Sequence, residues 1–149
     1  MLWSLWLVVK NMGVIMRKKY YKIVTINSVG RLYSYCHADL FFMQDNDRKY
    51  ITVEYKAGEF VGPNIIGTKL YVFDSLKNAK NFAGMSSNQE IWECEVINPN
   101  KVKYLAYVTR NCILDFWKAK KNHKKTDWKK ECPFGTIACD AVKLTRKVS

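Results

Sequence analysis

Residues 118–130 hold seven lysines, Lys118, Lys120, Lys121, Lys124, Lys125, Lys129 and Lys130, against one aspartate, a formal +6 that is half of the chain's +12. Trp117 and Trp128 accompany them. Ammonium groups neutralise phosphates and release counterions while indole faces stack on bases, so this run is the candidate polyanion-binding surface. The same composition also describes a solvated loop whose tryptophans pack back on the body. A second chemistry is offered by Glu93 and Glu95. On a strand their carboxylates share a face about 7 Å apart, where they could act on a substrate or partner a lysine; alternating charge on a solvent face is the other reading. His37 is the only histidine outside the lysine run, and neither a Ser/His/Asp order nor a nucleophile elbow accompanies it. The signatures GxxxxGK[ST], GxGxxG and HExxH are missing, so phosphate-loop, dinucleotide and zincin chemistries lack their usual marks.

These residues need a scaffold, and its clearest stretch is residues 69–96. Leu70, Tyr71, Val72 and Phe73 are all apolar or aromatic, which predicts a strand covered on both faces. Asp74 or Ser75 then caps a short helix over residues 76–83, whose Leu76, Ala79, Phe82 and Ala83 recur at helical spacing; Gly84 is placed to end it. Trp92, Cys94 and Val96 alternate with the two glutamates and predict a strand over residues 91–96 with one buried face. Upstream, residues 20–26 and 31–36 form an expected hairpin about the turn 27–30, and residues 50–55 alternate as a further strand. Downstream, Leu105, Val108, Cys112 and Phe116 fall three to four residues apart and predict a longer helix over residues 102–119, although Tyr104, Tyr107, Val108 and Ile113 are also good strand residues. Residues 136–144 read as a last strand before the basic Arg146 and Lys147.

With 149 residues, 48% hydrophobic, the chain is expected to form one domain over residues 16–149. Residues 1–15 form a hydrophobic extension; the run from Leu2 to Val9 is too short to span a bilayer and lacks the features of a secretory signal. The positive charge points to polyanionic partners, namely nucleic acid, phosphorylated nucleotides or an acidic protein surface. Five cysteines at no repeated spacing fit a reduced, cytoplasmic protein. Cys112, His123, Cys132 and Cys139 lack the CxxC knuckle, and no metal is assigned.

Residues 67–83, with Tyr55-Lys56-Ala57-Gly58-Glu59-Phe60 before them, Ile91-Trp92-Glu93-Cys94-Glu95-Val96 after them, and Gly135-Thr136 and Asp140-Ala141-Val142-Lys143-Leu144 near the end, are similar to a family of small uncharacterised domains found widely in phage and bacterial genomes. The resemblance covers most of residues 20–148 and implies an accessory role, such as binding a host nucleic acid, protein or nucleotide signal. More narrowly, Gly67-Thr68-Lys69-Leu70-Tyr71 and the helix after it resemble the Gly-x-x-Tyr strand of diphtheria-toxin-type ADP-ribosyltransferases, including poly(ADP-ribose) polymerases. That likeness implies NAD as cofactor, Tyr71 stacking on nicotinamide, and Glu93 or Glu95 fixing the ribose. The family's His-Gly-Ser/Thr motif is not matched, since His37 is followed by Ala38-Asp39.

The expectation is therefore an α+β domain, a mostly antiparallel sheet of about six strands carrying the two helices. The favoured function is a non-enzymatic basic accessory protein that binds an anionic ligand through residues 118–130. An NAD-using transferase, or its inactive relative, centred on Tyr71 and a glutamate of the 91–96 strand is the alternative. A protein-interaction module is the third reading.

Overall fold

In a computed structural model, the described residues are 18–34, 52–83, 88–106 and 129–149. Their elements run β1 (Tyr20–Ile26), β2 (Leu32–Ser34), β3 (Glu54–Tyr55), β4 (Phe60–Val61), β5 (Leu70–Phe73), α1 (Leu76–Phe82), β6 (Gln89–Ile97), β7 (Asn100–Lys101), β8 (Tyr104–Ala106), β9 (Lys129–Glu131), β10 (Thr136–Cys139) and β11 (Ala141–Lys147). Nine strands form one antiparallel sheet in the order β4-β11-β6-β1-β5-β10-β7, with β2 and β3 branching from β1; β8 and β9 form a separate ladder. All pairings are antiparallel.

β10 and β11 lie on opposite sides of β1 in this order, yet only Asp140 separates them in the chain. The sheet must curl until its flanks meet, giving a barrel-like closure of β1, β6, β11, β10 and β5. Asp140 makes the corner. Its backbone N–H donates to Ile97 O at 2.8 Å, Asn98 Nδ2 donates to its carboxylate at 2.7 Å, and Lys69 Nζ pairs with the other carboxylate oxygen. Inside lie Tyr20 and Val24 of β1, Leu70 and Val72 of β5, Cys94 of β6, Ile137 and Cys139 of β10, and Val142 and Leu144 of β11. The inward set shifts from odd to even positions across Asp140, as a one-residue corner requires.

The expected hairpin forms about Asn27, whose side-chain oxygen accepts from the N–H groups of Val29 and Arg31, with Gly30 at φ 83. β5 uses every residue. Leu70 and Val72 face inward, Phe73 lies under α1, and Tyr71 packs on Val102, Tyr104 and Ala138. Ser75 is the cap of α1, accepting from Asn78 N at 3.1 Å, while Asp74 instead holds the Asn78 side chain. α1 lays Leu76, Ala79 and Phe82 on Ile23, Phe73 and Ile91, with the rings of Phe73 and Phe82 5.5 Å apart. Gly84 lies outside the described residues.

The expected α+β class with a longer helix is corrected to a mostly β fold with, among the described residues, a single short helix. Of residues 102–119 the described part is 102–106, and 104–106 are strand. Tyr104, Leu105 and Ala106 pair with Glu131, Lys130 and Lys129, a long-range ladder that overrides the local spacing of apolar residues. Residues 107–119 lie outside the described residues. The sheet also has more strands than the six expected, because segments of two or three residues are too short to show a period. The last strand is two, divided at Asp140.

Gly135 (φ 83) closes the turn before β10, and a Cβ there would lie 2.3 Å from Asn78 Nδ2 and 2.5 Å from Asp74 Oδ1. Gly135→Ala is expected to lower the unfolding free energy by about 2–4 kcal/mol, from left-handed strain plus overpacking. Gly58→Ala, at φ 85 with nothing within 4 Å, should lose only the strain, about 1 kcal/mol. Urea denaturation of both variants checks this; equal losses would contradict it.

Candidate functional site

On β6 the even residues face the interior, so Ile91, Glu93 and Glu95 lie on the outer face. Ile91 is covered by α1, and the two glutamates meet cations from neighbouring strands. In register, Tyr21 of β1 and Arg146 of β11 stand on either side of Glu93, and Lys143 stands beside Glu95. The register shifts between Leu144 and Arg146, an extra residue held by a 3.0 Å hydrogen bond from Thr145 Oγ1 to Glu93 O. Val142 and Leu144 point inward, so an unbroken β11 would send Arg146 inward too. The bulge turns it out onto the face of Glu93.

There Arg146 Nε donates to Glu93 Oε2 at 2.7 Å and Lys19 Nζ lies 3.0 Å from Oε1. The Glu93 side chain is 8% exposed, whereas those of Lys19 and Arg146 are 63% and 67% exposed. Hydrogen bonds from Arg146 and then Lys19 hold the Glu93 carboxyl below the usual glutamate range, and Glu93 in turn raises the Arg146 pKa. Glu95 pairs with Lys143 at 3.1 Å; Glu90 pairs with Lys147 at 3.2 Å and accepts from Trp92 Nε1. The lowered Glu93 pKa holds that carboxyl ionised against its two cations, whereas a working base needs a pKa near the ambient pH.

Tyr71 is elsewhere. It lies on β5 and Glu93 on β6, with β1 between them, so two inter-strand steps of about 5 Å each separate their backbones. Its ring is packed on Ala138, Val102 and Tyr104, its hydroxyl oxygen is buried, and burial followed by nearby Cys132 raises the phenol pKa. Nicotinamide would have to displace Val102 and Tyr104 to stack on it. The Tyr71 carbonyl, beyond the single β1–β5 pair Tyr21↔Phe73, accepts from Lys22 Nζ at 2.7 Å. Lys22 is buried inside the closure, its ammonium 5.6 Å from the Tyr55 ring centre. Burial pushes the nearby Cys94 and Cys139 thiols up to about 12 and about 11, so they are unreactive.

Of the lysine run, Lys129 and Lys130 enter the described residues as backbone of β9. Ala106↔Lys129 pairing holds the two ends of residues 107–128 side by side. The root of this stem is bonded from Cys132 N to Lys103 O at 2.9 Å and rests on Tyr71 and Ala138 through Val102 and Tyr104. Lys118, Lys120, Lys121, Lys124, Lys125, Trp128 and His37 lie outside the described residues. Among the described residues no three His, Cys, Asp or Glu side chains converge as a metal site, and no helix is long and apolar enough to cross a membrane. Sequence reasoning missed Lys19, Lys69, Lys143 and Arg146 as partners of acids. For Lys19, Lys143 and Arg146 the signal was the alternation of the acidic strand, which calls for cations beside it; Lys69, the partner of Asp140, had none. No family model, curated protein or solved structure matches the chain.

Glu93 ionises more readily folded than unfolded. The stability its ion pairs contribute is complete above about pH 4.5 and is lost as pH falls through the lower folded value. Glu93→Gln is therefore expected to flatten the fall of unfolding free energy on acidification below about pH 4.5. Urea titrations at a series of pH values test this, and an unchanged slope would contradict it.

Proposed function

We propose that the chain is a non-enzymatic basic protein that engages a phosphate-bearing polyanion, foremost a nucleic acid, through residues 118–130. The observation that supports this most is that five carboxylates of the described residues are already paired with cations of their own. Glu54, Glu90, Glu93, Glu95 and Asp140 pair with Arg31, Lys147, Lys19 with Arg146, Lys143 and Lys69 respectively. The lysine run holds one acid of its own, Asp127. Its excess charge is then available to an outside anion, and counterion release drives the association. Pairing of β8 with β9 anchors both ends of the segment to the barrel. An accessory role in a reducing, cytoplasmic compartment agrees with the buried free thiols of Cys94 and Cys139. The geometry around Tyr71 and Glu93 favours no NAD chemistry.

Binding of a labelled single-stranded oligonucleotide, followed by anisotropy across a salt series, tests the proposal. Lys124→Glu with Lys125→Glu should weaken binding by about tenfold or more and lower the salt slope by about 1.4, that is 0.7 for each lost single-strand contact. An unchanged slope in a folded double variant, or retention only on an acidic protein, would overturn it.

A further inference from the structure

The cations on the outer barrel face form a second arrangement, independent of the lysine run. We propose that Lys19 and Arg146, held in place by Glu93, form an anion site on the β1–β6–β11 face that takes a phosphate group. Each carboxylate oxygen of Glu93 takes one cation, Oε1 that of Lys19 and Oε2 that of Arg146. The three charges sum to +1. The next acid on the face, Glu95, is matched with Lys143, so it adds no net negative charge beside them.

Arg146 meets Glu93 through the Nε edge of its guanidinium, which leaves the end-on pair of N–H groups, one from each terminal nitrogen, turned to another side on a side chain 67% exposed. A guanidinium presents five donors in a rigid plane, and its terminal pair matches two oxygens of a phosphate. Lys19 offers further donors beside it. Because the carboxylate beneath them is buried, the two cations are fixed before a ligand arrives, which lowers the ordering cost of binding.

An apolar side chain in place of a buried, ion-paired carboxylate is often as stable, so stability alone does not account for this arrangement. The β11 bulge adds to the argument, because its effect is to bring a guanidinium to this face rather than into the interior.

The test uses the full-length chain labelled with 15N and titrated with inorganic phosphate at constant ionic strength. The Arg146 Nε–Hε resonance, assigned by its loss in Arg146→Lys, should shift and saturate, while that of Arg31 should not. Lys19→Gln should weaken the apparent affinity about threefold or more. The response should persist in the Lys124→Glu, Lys125→Glu double variant, which separates this site from the lysine run. An oligonucleotide that saturates the same resonance at lower phosphate concentration would identify the source as a polynucleotide backbone; saturation by inorganic phosphate alone would identify a free phosphate or nucleotide. A shift that grows without saturating, or equals that of Arg31, would overturn the proposal.

Discussion

The whole fold turns on the corner at Asp140. One residue must carry the chain from the flank of the sheet beside β5 to the flank beside β6, and it does so only if the sheet is curled shut. The corner is held by the backbone bond to Ile97 and by a carboxylate shared between Lys69 and Asn98, which itself adopts a left-handed φ of 52. Those bonds lower the Asp140 pKa, Lys69 contributing most. With the closure in place, the interior residues of five strands face one another and both surfaces of β5 are covered.

Closure also sorts the charges. The acidic residues of β6 lie between β1 and β11; Lys19, just before β1, and Lys143 and Arg146 of β11 meet them. Acid and base are thereby matched across strands as cross-strand pairing favours. Residues 118–130 carry half of the chain's formal +12, and the proposed division of labour follows: a barrel whose β6 acids are paired with cations, and a basic segment between β8 and β9.

Much of this architecture was legible in the chain, and the rest was not for identifiable reasons. β1 has the boundaries expected of Tyr20–Ile26, and β5, α1 and the buried face of β6 lie where the apolar pattern put them. Local propensity and local periodicity agree there, so one window of sequence suffices. Residues 104–106 misled because the partner that makes them strand lies beyond a long insertion. Asp140 and Thr145 look like ordinary residues of one final strand; the corner and the bulge exist only through contacts with Ile97 and Glu93. Lys22 is inside because β1 presents its even positions to the interior, while its charge suggests solvent. Glu93 and Glu95 were read with a solvent face as one alternative; Glu93 is in fact buried, under cations from two other strands. The Tyr71 environment depends on Val102 and Tyr104, which local pattern alone could not place beside it.

The most direct examination of the central claim is a lysine-acetylation footprint read by mass spectrometry with and without a single-stranded oligonucleotide. The account predicts protection concentrated on Lys118, Lys120, Lys121, Lys124 and Lys125, with the reactivity of the ion-paired Lys69 and Lys143 unchanged. Protection spread evenly over the barrel, or none within the lysine run while the oligonucleotide is bound, would contradict it.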